Sequence, residues 1–192
     1  MGDVLPYLSL VCRGTVAVVF AFSSVGKLRS RAAYARFRRS TGALTGLPAA
    51  PAAVLAWLVV AAELTVTLTA AAGPLPSAGP ISVAGPLSVA GLGVAGVLLC
   101  GFTWALARSP RSGQALECEC FGSSASITRR TALVRNLLLL GVVCAGLVST
   151  RITAGAGALR WDAALVCAVG AVALAGCITR LHEITSLFTA RL

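Results

Sequence analysis

The sequence predicts an all-α fold: a polytopic transmembrane helix bundle with a four-helix core and a fifth, C-terminal span. Three observations predict it. Hydrophobic residues make up 57% of the 192-residue chain and charged residues only 11%, against about 45–50% and about 25% in a soluble domain. Mean hydropathy is +0.89. The apolar residues gather into runs of about 20, the length that crosses a hydrocarbon core of about 30 Å. The chain is an integral membrane protein with the lipid bilayer as its first partner, and no room remains for a separate soluble domain.

The first span runs from Leu5 to Val25. Ala21-Phe22-Ser23 has the small-residue spacing of a cleavage site, but no basic region precedes the apolar stretch and Arg13 interrupts it. A retained helix is expected. Lys27, Arg29, Arg31, Arg36, Arg38 and Arg39 follow in a loop that ends near Pro48, with Ala33–Phe37 as a short helix at the membrane interface. The second span runs from Pro51 to Ala72 and carries Glu63 near its middle. Gly73–Pro86 is an uncharged loop containing most of a small tandem duplication, Gly79–Ala84 and Gly85–Ala90. Two copies are too few for a repeat fold.

The third span runs from Leu87 to Ala107 and ends at Arg108, Pro110 and Arg111. The fourth, Ala132 to Ser149, has Thr128 as its candidate N-cap. A glycine-rich turn, Thr153–Ala158, leads to the fifth span, Trp161 to Thr179. The expected division is a membrane core over residues 5–150 and an added helix with a cytoplasmic tail over 151–192.

The net charge of +10 would suggest a nucleic-acid partner on a soluble chain. Here it reads as a topology signal, and no nucleic acid is expected. Twelve Lys and Arg fall on one side of the spans and two on the other. The positive-inside rule then puts the N-terminus outside and the loop after the third span at the cytoplasmic face of the cell membrane.

Two charges interrupt the apolar runs. Arg13 lies about 12 Å from the outer end of its span and Glu63 about 13–14 Å from the outer end of the next, at 1.5 Å per residue. Sequential antiparallel spans are usually neighbours, so an Arg13–Glu63 ion pair is expected. It serves either as a packing clamp or as a polar site for a quinone, a proton or a substrate group. Arg135 and Asn136 open the fourth span; Arg135 either snorkels to the interface or stabilises a thiolate.

Seven cysteines are present, an odd number that excludes a fully paired framework. Cys12, Cys100, Cys144, Cys167 and Cys177 lie in apolar runs and are assigned to packing. Cys118 and Cys120 stand in a polar loop, Glu117-Cys118-Glu119-Cys120-Phe121-Gly122. A disulfide across one residue is strained and exchange-active. The flanking glutamates raise the thiol pKa values, while Arg129, Arg130 and the N-terminus of the fourth span lower them. Two thiolates also supply half of a tetrahedral zinc site, which His182 and Glu183 could complete. No metal-ligand spacing surrounds His182, so no metal is assigned.

Cys118-Glu119-Cys120-Phe121-Gly122 ahead of Val134-Arg135-Asn136 resembles the MauE family of membrane proteins associated with methylamine utilisation. The resemblance extends to Arg13, Phe20, Gly26-Lys27-Leu28, Leu47-Pro48 and Glu63, and covers Leu10 to Val148. It implies a DoxX-like bundle similar to DsbB and vitamin K epoxide reductase, with electrons passing between thiols and a quinone. It further implies support for disulfide formation in a cysteine-rich partner protein of methylamine metabolism. Cys118 and Cys120 would be the redox pair, and Arg13, Glu63, Arg135 and Asn136 the supporting polar residues. The partner would be a thiol-containing exported protein or a thioredoxin-like protein, and the protein would be a thiol–disulfide oxidoreductase. Two other classes stay open on the residues themselves: a small carrier or metal-handling membrane protein, and a non-catalytic membrane assembly factor.

Overall fold

A computed structural model describes residues 4–71, 84–108, 129–152 and 161–179. All regular structure among the described residues is helical: α1 (Val4–Leu28), α2 (Arg31–Thr45), α3 (Ala49–Ala71), α4 (Ala84–Arg108), α5 (Arg129–Ile152) and α6 (Trp161–Thr179). Four helices are long and apolar enough to cross a membrane, over Leu5–Leu28, Ala49–Ala71, Pro86–Arg108 and Arg130–Ile152. The expected fifth span corresponds to α6, whose apolar stretch Leu165–Thr179 is shorter.

The four long helices close a ring in which α1 packs on α3, α3 on α4, α4 on α5 and α5 on α1. This is the four-helix core that the sequence predicts. Its interior is filled by Val16, Phe20, Val66, Leu92, Leu99 and Leu139, among others. α6 lies against α1 through Ala171, Ala175 and Ile178, all buried. The outward residues are apolar as well: Phe22, Leu68, Val97, Leu137 and Val169 are all exposed. On a soluble protein such a surface would drive association; around a membrane bundle it faces lipid.

α2 corrects the expectation of a short interfacial helix over Ala33–Phe37. It spans 15 residues with a defined start and stop. Ser30 caps it by accepting a hydrogen bond from the Ala33 N–H at 3.0 Å. Gly46, at φ 70°, ends it by donating its N–H to the Gly42 carbonyl. Ala33, Phe37 and Thr41 recur every fourth residue among the arginines and form one buried stripe. Phe37 packs on Ala56 and Val60 of α3. α2 therefore runs beside the first half of α3, taking over where α1 stops.

Candidate functional site

The site is built from the last two turns of α1 and the middle of α3. Ser23, Ser24 and Lys27 share one face of α1, because residues three and four apart lie above one another on a helix. Ser23 and Ser24 donate to the two carboxylate oxygens of Glu63, at 3.0 and 3.4 Å. Lys27 forms an ion pair with Glu63 and donates to Ser23 Oγ at 3.0 Å. Both charged side chains are sealed from solvent, at 0% and 1% exposure.

Aromatic rings close the cluster. Lys27 Nζ lies 4.6 Å from the ring centre of Phe37 on α2 and 5.7 Å from that of Phe102 on α4. A cation this close to ring faces is attracted by their quadrupoles, more strongly when desolvated. One ammonium on α1 thus has partners on α2, α3 and α4. Its pairing is well satisfied, which is the condition for a buried ion pair to be tolerated.

The expected Arg13–Glu63 pair is not formed. The hydrogen bonds from Ser23 and Ser24 put Glu63 level with the end of α1, and Arg13 lies ten residues earlier, about 15 Å along the helix. The expectation counted depth from flush span ends. The helices are staggered instead, because α2 occupies the place beside the first half of α3. Lys27 is corrected in turn: counted in the sequence among exposed loop charges, it is buried inside the bundle. The missed signal is Ser23-Ser24-x-x-Lys27 at helical spacing on the tail of an apolar run.

The depth of the cluster follows from helix pairing. Gly91 sits against Thr69 and Ala70. Trp57 lies thirteen residues from Ala70 and Trp104 thirteen from Gly91, so both stand about 20 Å along their helices from that contact. Both are exposed, at the depth of an interfacial aromatic belt. Tyr34 packs on Trp57 at 5.6 Å between ring centres, and the Arg108 guanidinium lies 4.7 Å over the Trp104 ring. Glu63 is six residues from Trp57, about 9 Å to the hydrocarbon side.

Arg135 and Asn136 belong to the same end. A Cβ on Gly96 would meet Val143 at 3.6 Å, and Arg135 and Trp104 each lie eight residues from that contact. Arg135 is therefore level with Trp104. Arg135 and Asn136 are buried, at 4% and 2% exposure. α4 leaves this end at Arg108 and α5 enters it at Arg129. Cys118, Cys120 and Thr128 fall in the segment between, outside the described residues; residues 79–83 of the first duplicated motif, His182 and Glu183 lie outside them as well.

The five described cysteines are free thiols, and only Cys12 is buried. Cys100, Cys144 and Cys177 are exposed, so they face lipid rather than filling the core as expected. At the far end Ser9 and Thr150 share a hydrogen bond of 2.8 Å between α1 and α5.

A family model described as "Methylamine utilisation protein MauE" matches residues 5–149. The match covers α1 to α4 and almost all of α5, and stops before α6. No curated protein and no solved structure matches the chain.

Proposed function

The chain belongs to the MauE family of methylamine utilisation proteins, and from that premise we propose that it is a membrane thiol–disulfide protein that supports maturation of a partner protein. Cys118 and Cys120 are the exchanging pair in this reading. Their disulfide accepts two electrons and two protons from a partner dithiol, which becomes a disulfide, and the resulting pair is reoxidised by a quinone. Attack proceeds through a thiolate and a mixed disulfide, so groups that stabilise a thiolate near the pair assist the exchange.

One observation carries the reading. The fully buried charged side chains among the described residues, Lys27, Glu63 and Arg135, lie with Asn136 toward the end where α4 stops and α5 starts, and Cys118 and Cys120 fall between those two helices in the sequence. Intramembrane charges are expensive and mark functional sites. In the proposal Glu63, Arg135 and Asn136 support the pair, with Lys27 added to them. The exposed Arg31, Arg38, Arg39, Arg108 and Arg130 lie at the same end, which argues for the cytoplasmic side.

The test is a Cys118→Ser, Cys120→Ser double variant, scored for disulfide yield in the partner and for the thermal melt of the bundle. Lost yield with an unchanged melt is expected; retained yield would sink the proposal. Labelling intact cells with an impermeant maleimide, before and after reduction, reads the side. Labelling only after reduction means an oxidised pair on the outer face, and overturns the cytoplasmic assignment.

A further inference from the structure

Arg13 is the one described charge of the membrane interior that the polar cluster does not absorb. Its Nε and Nη2 are both buried, and neither has a hydrogen-bond partner among the described residues. These two atoms form one edge of the guanidinium, the fork that binds a carboxylate or a phosphate through two parallel hydrogen bonds. A buried donor without an acceptor is rare in folded proteins, and here two stand side by side on one charged group.

The depth of Arg13 defines what can reach it. Its neighbour Cys12 packs on Gly146, and Gly146 on Leu92. Leu92 is twelve residues from Trp104, which puts Arg13 about 18 Å from the aromatic belt along α4, and about 24 Å from it when counted through Ser23 and Glu63. In a hydrocarbon core of about 30 Å this leaves about 6–12 Å to the opposite boundary. Arg151, exposed, stands five residues beyond Gly146 and about 7–8 Å nearer that boundary. Arg13 as a whole is half-buried, and a long basic side chain can carry its charged head toward the headgroups.

The described helices carry two acids, Glu63 and Asp162, and neither stands at the level of Arg13. Glu63 is committed to Lys27. Asp162, in the first turn of α6, lies nine residues before Ala171, the residue against Gly14, about 14 Å along the axis. We propose that Arg13 is a binding site for a phosphate oxyanion, supplied by an anionic phospholipid of the leaflet opposite the Lys27–Glu63 end, with Arg151 flanking it. This site is independent of the thiol chemistry.

The test uses the full chain, delipidated in detergent and returned to phosphatidylglycerol, phosphatidylcholine or inorganic phosphate. Native mass spectrometry reads retained lipid, and a thermal melt reads protection. One retained phosphatidylglycerol per chain is expected, reduced about tenfold in Arg13→Gln, the scale of a lost charge-assisted hydrogen bond. If Arg13→Gln does not fold, Arg13→Lys carries the comparison, because lysine keeps the charge and lacks the fork. Undiminished retention in whichever variant folds would overturn the site. Equal protection by inorganic phosphate alone would overturn the lipid as its source.

Discussion

The two ends of the bundle are fastened in different ways. At the end where α4 stops and α5 starts, α1, α2, α3 and α4 meet on one ammonium, which is paired, hydrogen-bonded and lined by two rings. At the far end the helices meet on glycines. A Cβ on Gly14 would come within 2.9 Å of Ala171, one on Gly91 within 2.1 Å of Thr69, and one on Gly146 within 3.1 Å of Cys12. In lipid there is no hydrophobic drive between helices, so small residues that admit close backbones and polar groups that bond across helices do the work. The charged end relies on the second device, and the far end on the first, with the Ser9–Thr150 hydrogen bond beside it. The contrast also explains Arg13: the glycine-packed end supplies no partner for a charge among its described residues.

The largest effect is expected at the charged end. Lys27→Ala leaves Glu63 buried and unpaired, and should lower stability by about 3–5 kcal/mol in a melt of the reconstituted protein. A Lys27→Met, Glu63→Met double variant should recover most of that loss, because apolar replacement of a whole buried pair is often neutral. Failure to recover would mean that the charges orient the helices as well as satisfying each other.

A smaller effect is expected at the glycine end. Gly14→Ala should destabilise by about 1–3 kcal/mol, as overpacking does, since Ala171 has no flexible end to move away. Gly93→Ala, with nothing within 4 Å of its Cβ, is the control and should be neutral or stabilising by up to about 1 kcal/mol. Equal losses at both positions would erase the distinction between the ends. The smallest effect is on α2: Ser30→Ala removes the cap and should reduce stability by about 1 kcal/mol, read as faster amide exchange over the first turn of that helix.

The sequence shows the frame more clearly than the contacts. Runs of apolar residues locate the spans because a helix must expose about 20 such residues to lipid, and the four core spans agree with the long helices to within a few residues at each end. Glu63 stands out because a carboxylate in such a run requires a partner. The identity of that partner was not legible. Lys27 looks like the first residue of a basic loop, and only the stagger of α1 against α3 draws it inside. That stagger depends on α2, whose buried stripe of Ala33, Phe37 and Thr41 is hidden among four arginines. The caps of α2, Ser30 and Gly46, went unread, and its packing on α3 was not legible, since nothing local says which face of which helix will receive Phe37.

The separation of the ion pair along the chain has a consequence for biosynthesis. Lys27 precedes Glu63 by 36 residues. At about 5–20 residues per second, a ribosome completes α1 seconds before the carboxylate exists. During that interval the lysine stem can hold its ammonium at the headgroups, and α1 rests shallow. Entry of α3 then supplies the counter-charge that a buried Lys27 requires. The expected outcome is that a nascent chain halted before Glu63 holds its first helix closer to the membrane surface than the finished protein does.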